Sequence, residues 1–234
     1  DLARILLLSN GHGEDFSGAL IGQALRALDF DVDAFPLVGF GHAYSGAGIR
    51  ILGNTKEFST GGLGYTSFSG RITEVLQGQI CYLARRLLYL LSIAGKYDLL
   101  VVIGDVVPVV SAWLTGLPVV TYLVAYSSHY EGKLRLPWPC FNCLSSSRFL
   151  GVLTRDQLTA DDLRKQLLRP VEFLGNPFMD PVLASHPSLP SCNKRLGLLP
   201  GSRRPELDDN LLMILDLFES FSMGEWLGAG ISLD

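Results

Sequence analysis

The chain has 234 residues, 48% hydrophobic and only 18% charged, which is enough apolar side chain for a substantial core and far too little charge for an intrinsically disordered protein. Apolar runs such as Leu99–Ile103 and Val106–Val110 are interrupted by Gly104, Asp105 and Pro108, so none reaches the roughly 18–20 residues that a membrane span requires. A net charge of −4 argues against nucleic acid as a partner.

Arg4–Ser9 is a continuous apolar run, the pattern of a strand buried on both faces of a parallel sheet. Asn10-Gly-His-Gly-Glu-Asp15 breaks it with two glycines. From Phe16 to Leu28, the residues Leu20, Ile21, Ala24, Leu25 and Leu28 recur at helical spacing, and Val32–Val38 is a second apolar run. This is a strand-loop-helix-strand unit, the first step of a doubly wound sheet. Residues 39–70 are rich in Gly, Ser and Thr, with a short strand at Ile49–Leu52 and the tightest glycine cluster at Ser59–Gly64. Arg71–Ala94 reads as a long amphipathic helix carrying Arg85 and Arg86 among leucines.

Leu99–Ile103 is a third buried strand, Val106–Leu114 a short helix and Pro118–Val124 a fourth strand. Ala125–Cys143 reads as an irregular aromatic segment. Phe149–Thr154 and Val171–Leu174 are further strands, with a helix between them that Thr159 caps, an acid following three residues on. The alternation predicts an α/β, Rossmann-like parallel sheet. Pro177, Pro181, Pro187 and Pro190 then mark a linker. A new cycle starts with a strand at Arg195–Leu199, a loop at Pro200–Pro205 and a helix at Glu206–Phe221, which gathers Leu211, Leu212, Leu215 and Phe218 on one face. The domains expected are residues 1–175, a linker at 176–192, and the truncated start of a second α/β domain at 193–234.

Three loops carry chemistry. Asn10-Gly11-His12-Gly13-Glu14 lies between a strand and a helix, where small residues and open N–H groups let a substrate approach closely. Asp105 follows Gly104 at the end of a buried strand, so it is either a ligand-facing carboxylate or a helix N-cap. In Pro200-Gly-Ser202-Arg203, glycine permits close backbone approach, Ser202 can donate and Arg203 offers a bidentate fork for phosphate. Gly61 and Gly62 are further substrate-loop candidates, and His129 either lines a cleft or packs within the protein.

Cys140 and Cys143 have the spacing of half a zinc site without a second pair, and no helix start to make them reactive, so they read as structural. No metal site and no cofactor motif is expected. Four scattered cysteines point to a reducing, cytoplasmic setting rather than a disulfide framework. The first residues lead directly into a strand, leaving no room for a signal or transit peptide. Between Glu131 and Arg204 there are 11 Lys and Arg against 6 Asp and Glu, while 7 acids and no base follow Arg204. A basic middle of this kind suits a phosphate-bearing ligand or an anionic membrane surface.

Gly11-His-Gly-Glu14, Gly104-Asp105, Gly175-Asn-Pro-Phe-Met-Asp180 and Leu199-Pro-Gly-Ser-Arg203, in that order, resemble the lipid-A-disaccharide synthases, most closely the branch known as lipid-A-disaccharide synthase-related. The resemblance spans nearly all of residues 4–222, and Leu199–Arg203 is its most specific part. It implies a GT-B fold, two Rossmann-like domains facing across a cleft. It also implies metal-independent, inverting transfer of an acylated glucosamine from a UDP-sugar to a lipid-phosphate acceptor, at the cytoplasmic face of a membrane. Asp105 matches that family's catalytic carboxylate and Arg203 its essential arginine. Gly11-His-Gly13 and Asn176 depart from the usual motifs, and little of the nucleotide-binding half follows Asn193, so this chain is expected to be inactive alone. The alternatives are a non-catalytic module that binds lipid or sugar phosphates, and another GT-B enzyme such as a UDP-sugar epimerase.

Overall fold

The computed structural model describes residues 2–53, 72–124, 128, 132–175 and 206–221, with the backbone alone at 12, 72–77, 206–207 and 217–221. The chain divides into two compact units, Asp1–Ser185 and His186–Asp234. The first is an α/β layer built on a seven-stranded sheet in the order β3-β2-β1-β4-β5-β6-β7. Its strands are β1 (Arg4–Ser9), β2 (Asp31–Pro36), β3 (Arg50–Ile51), β4 (Leu99–Ile103), β5 (Val119–Leu123), β6 (Phe149–Thr154) and β7 (Glu172–Phe173). Every neighbouring pair is parallel. The Rossmann-like α/β architecture read from the strand-helix alternation is the one found.

Each connection runs through a helix or a longer crossover, as parallel pairing demands. The helices are α1 (His12–Ala27), α2 (His42–Gly46), α3 (Ile72–Ala94), α4 (Val106–Leu114), α5 (Trp138–Leu144) and α6 (Gln157–Leu167). Successive side chains of β1 point to opposite faces. Leu6 and Leu8 join one core with Phe35, Leu90, Val102, Val109 and Leu163. Ile5 and Leu7 join the other with Ala19, Ala34, Tyr44, Val101 and Tyr122. A strand packed on both sides has no polar face to show, which is why β1 and β4 are uninterrupted apolar runs.

Several boundaries differ from the sequence reading. Helix α1 begins at His12, not near Phe16, so the loop after β1 shrinks to Asn10 and Gly11. Gly11, at φ 145, makes the turn, and Glu14 and Asp15 place negative charge in the first helical turn, where the helix dipole favours it. The aromatic segment is not irregular throughout: Trp138–Leu144 is a helix that starts with proline in its first turn. The cap of α6 is Asp156 rather than Thr159, its Oδ1 accepting from the Thr159 N–H and the Thr159 hydroxyl, both at 2.7 Å. The strand expected at Arg195–Leu199 and the linker at 176–192 lie outside the described residues. In the second unit, α7 (Glu206–Phe221) matches the expected helix. Leu211, Leu212 and Leu215 on it are exposed, and the side chain of Phe218 lies outside the described residues.

Two buried charges brace the β2 side of the sheet. Arg86 of α3 is 4% exposed, lies 3.9 Å over the Phe35 ring and donates to the Pro36 carbonyl at 2.7 Å and the Leu52 carbonyl at 3.4 Å. Asp33 of β2, also buried, accepts from Arg50 Nε at 2.9 Å, Arg50 Nη2 at 2.6 Å and the Tyr97 hydroxyl at 2.5 Å. Burial pushes the Asp33 carboxyl up, but the Arg50 and Tyr97 hydrogen bonds prevail and hold it below the ordinary range. Its stabilising effect is therefore complete above the unfolded-state value and fades as pH falls through the folded one. Asp33→Ala is expected to cost about 2–3 kcal/mol by urea unfolding at pH 7, because charge-assisted bonds are lost and the Tyr97 hydroxyl is stranded. The deficit should shrink below about pH 4, and a pH-independent deficit would assign the loss to packing alone.

Candidate functional site

In an open parallel sheet, ligands bind beyond the carboxyl ends of the strands where the winding direction reverses. Here the chain winds outward through β2 and β3, then returns to the other side of β1 as β4, so the reversal falls between β1 and β4. Ser9 and Ile103, the last residues of these strands, are register partners. The residues that follow, Asn10-Gly11 and Gly104-Asp105, are consequently neighbours, although 95 positions separate Asn10 from Asp105.

The Asn10 amide donates to Asp105 Oδ1 at 3.4 Å, and the Val107 N–H donates to the same oxygen at 3.3 Å. Asp105 is thus the N-cap of α4, one of the two roles the sequence left open, and it stands at the strand ends where the sheet reverses. Gly104 has φ +146, and a Cβ there would sit 2.9 Å from Pro108 Cγ and 3.8 Å from both Asn10 Cβ and Glu14 Cγ. Half-buried Glu14 therefore packs against the same turn. Burial is the main influence on Asp105 and raises its carboxyl, opposed by hydrogen bonds from the Val107 and Asp105 backbone N–H groups and from Asn10. A carboxylate raised in this way holds a proton more strongly, which suits a general base.

Behind the crevice lies a buried cluster that the sequence reading did not single out. The Ser9 hydroxyl is 2.5 Å from Asp15 Oδ1 and 2.6 Å from the Tyr44 hydroxyl. Asp15 is 3% exposed and Tyr44 fully buried. The only sequence signal is Gly18: a Cβ at that position would lie 2.3 Å from Tyr44 Oη, so glycine lets the phenol cross α1 to reach Ser9. Burial pushes the Asp15 carboxyl up to about 7, with Ser9 opposing and neighbouring Glu14 adding to the rise. Burial likewise raises the Tyr44 phenol.

A folded-state value above the unfolded one means that Asp15 costs stability as pH rises from about 4 to about 7, and costs a constant amount above that. Asp15→Asn keeps an oxygen for the Ser9 hydroxyl and cannot ionise. Relative to the native chain, the variant is expected to gain stability progressively across that range, by up to about 4 kcal/mol at pH 8. Chemical denaturation at pH 4, 6 and 8 measures it, and a gain that does not grow with pH would show that Asp15 is ionised in the folded protein throughout.

Of the other expected site residues, Gly13 is exposed with open space where a Cβ would stand. His12 is the first residue of α1, its side chain outside the described atoms. Gly61, Gly62, His129, Ser202 and Arg203 lie outside the described residues. Ser128, next to His129, is held from α6: its N–H donates to Thr159 Oγ1 at 2.9 Å and its hydroxyl to Asp162 Oδ2 at 2.9 Å. The Leu134 N–H reaches the same Asp162 oxygen at 2.8 Å. Asp162 therefore anchors the stretch after β5 at two points. Cys140 and Cys143 do sit on a helix, contrary to the sequence reading, but both are buried in α5. Burial, with Cys143 and Asp105 adding, pushes the Cys140 thiol up to about 12, so it is no nucleophile at neutral pH. Among the described residues no three His, Cys, Asp or Glu side chains gather as a metal site.

No family model matches the chain, and no curated protein matches it in sequence. Solved structures do. MurG of Acinetobacter baumannii is 12% identical at a TM-score of 0.44, covering 67% of this chain and 42% of its own. Glycyrrhiza uralensis UGT73P12, complexed with glycyrrhetinic acid 3-O-monoglucuronide, is 10% identical at 0.48, covering 76% and 50%. The glycosyltransferase SsfS6 of Streptomyces sp. SF2575 is 18% identical at 0.38, covering 76% and 52%. This chain spans about half or less of the length of each. The Rossmann-like architecture rests on the chain's own strand order, not on these likenesses.

Proposed function

We propose that this chain carries the acceptor half of a GT-B glycosyltransferase of the lipid-A-disaccharide synthase type, one that moves an acylated glucosamine from a UDP-sugar to a lipid-phosphate acceptor. The supporting observation is the meeting of Asn10 and Asp105 where the sheet reverses, at 3.4 Å, with Glu14 packed on the same turn. In this reading Asp105 takes the proton of an acceptor hydroxyl as its oxygen bonds to the anomeric carbon. The bond from that carbon to the UDP oxygen breaks on the opposite face, which inverts the configuration without a metal. Arg203, with Ser202, offsets the charge on the departing diphosphate. Glu14 already occupies the first turn of α1, so the helix terminus favours a hydroxylated part of the acceptor over its phosphate.

Asp105→Asn tests the role directly, because asparagine caps a helix about as well as aspartate but cannot accept the proton. Sugar transfer from a UDP-linked donor by the full-length protein should fall by at least about a hundredfold, with thermal unfolding little changed. Activity within about tenfold of the native protein would remove Asp105 from the chemistry.

Membrane-surface association has its own support. No helix among the described residues is long and apolar enough to cross a membrane. On α3, however, Ile80 is 64% exposed, Leu88 67% and Leu91 41%. They follow helical spacing along one face, with exposed Ala84 and Arg85 between them. Such a stripe, apolar with a cation, fits an anionic lipid surface. Leu88→Asp should weaken sedimentation with anionic vesicles by about tenfold, the value of one buried leucine, and equal binding would exclude this face as the lipid contact.

A further inference from the structure

Asn10, at the same turn as Asp105, holds a side-chain group that the proposed chemistry does not use. It is 7% exposed. Its amide nitrogen donates to Asp105 Oδ1 at 3.4 Å, while its own carbonyl oxygen is buried and accepts no hydrogen bond among the described residues. Burying an acceptor without a donor is unfavourable, and a ligand is one way to satisfy it.

The geometry points to Asn10 as a positioning residue with two hands: its N–H steadies Asp105 Oδ1, and its Oδ1 accepts a hydrogen bond from a second donor on the ligand, beside the hydroxyl that Asp105 serves. The ligand class is then a neutral polyol or amido-polyol head with at least two adjacent donors. This deepens the acceptor-site reading and rests on it. Only an amide supplies both functions, since aspartate has no donor when ionised and alanine has neither. The surroundings argue the same way. Glu14 from α1 packs at the Gly104 turn. From α5, buried Cys140 lies close enough for the Asp105 charge to raise its thiol. A phosphate would meet the Asp105 carboxylate and the Asn10 carbonyl oxygen, which only accept, whereas hydroxyl groups would donate to both.

The test has two arms. In the first, the Asp105 carboxyl is titrated by carbon-13 NMR in the native chain, Asn10→Ala and Asn10→Asp. Loss of the donor should raise its proton affinity by about threefold in Asn10→Ala. Asn10→Asp should raise it further, with two coupled steps, because a second carboxylate then faces the first. A purely structural Asn10 would not produce that order, and unchanged titration in both variants would overturn the positioning role.

In the second arm, octyl β-glucoside and octyl phosphate are added to the native chain below their micellar concentrations, following the Asn10 side-chain amide resonance. The glucoside should shift it, with affinity falling about fivefold in Asn10→Ala, and the phosphate should not. Perturbation by the phosphate alone, or by neither compound, would overturn the ligand assignment. Should Asn10→Ala fail to fold, Asn10→Asp and the native-chain titrations still decide. Absence of sugar transfer by the full-length protein with both arms upheld would remove the transferase reading and leave the role of Asn10 intact.

Discussion

Everything placed at the candidate site depends on β1 pairing with β4. That ladder, running from Ile5 opposite Leu99 to Ser9 opposite Ile103, ends both strands at one level and delivers their following loops side by side. Parallel pairing cannot be made by a tight turn, so the chain spends the long excursion from β2 to α3 before β4 returns. The energy comes from burial on two faces: Ile5–Leu8 of β1 and Leu99–Ile103 of β4 pack apolar side chains into both cores. On these two strands polar groups are thereby held to the ends, and the positions just beyond Ser9 and Ile103 bring them together.

How much of this could be read from residues alone follows from which forces are local. Leu99–Ile103 and Phe149–Thr154 were legible to the residue, because a short apolar run bounded by polar groups states its burial outright. Asp105 was legible as a strand-end carboxylate, though the choice between cap and ligand-facing group was not, since that depends on partners from elsewhere in the chain. The start of α1 was misplaced because paired glycines look like a loop. In the fold only Gly11 makes the turn, while Gly13 is simply helical. Tyr44 gave no signal beyond the glycine at 18: its role arises from contacts with Ser9 and Gly18 across two elements, and no local pattern encodes a contact of that kind.

The first turn of α1 also shows how one position can serve stability and chemistry in opposite directions. An acid at a helix N-terminus is favourable when hydrated, yet Asp15 is almost completely buried, so the surrounding protein resists its charge. Glu14, one position earlier, is only half-buried and packs at the Gly104 turn. A single step along the helix separates a group the fold would keep neutral from one that keeps partial access to solvent. Local strain of this sort concentrates where function requires a particular arrangement rather than the most stable one.

Arg85 and Arg86 divide in the same manner. A turn of about 100° per residue sends one guanidinium to the surface and the other onto Phe35, where it also ties the carbonyls of Pro36 and Leu52 to α3. These adjacent arginines are thus governed by different rules of replacement. At 85 any cation of similar reach preserves the surface charge. At 86 a lysine would forfeit the flat stacking on the ring that accompanies the bonds to the two carbonyls. A charge-conserving drift through this pair would leave the outer position silent and register at the inner one as a loosening of the β2 edge.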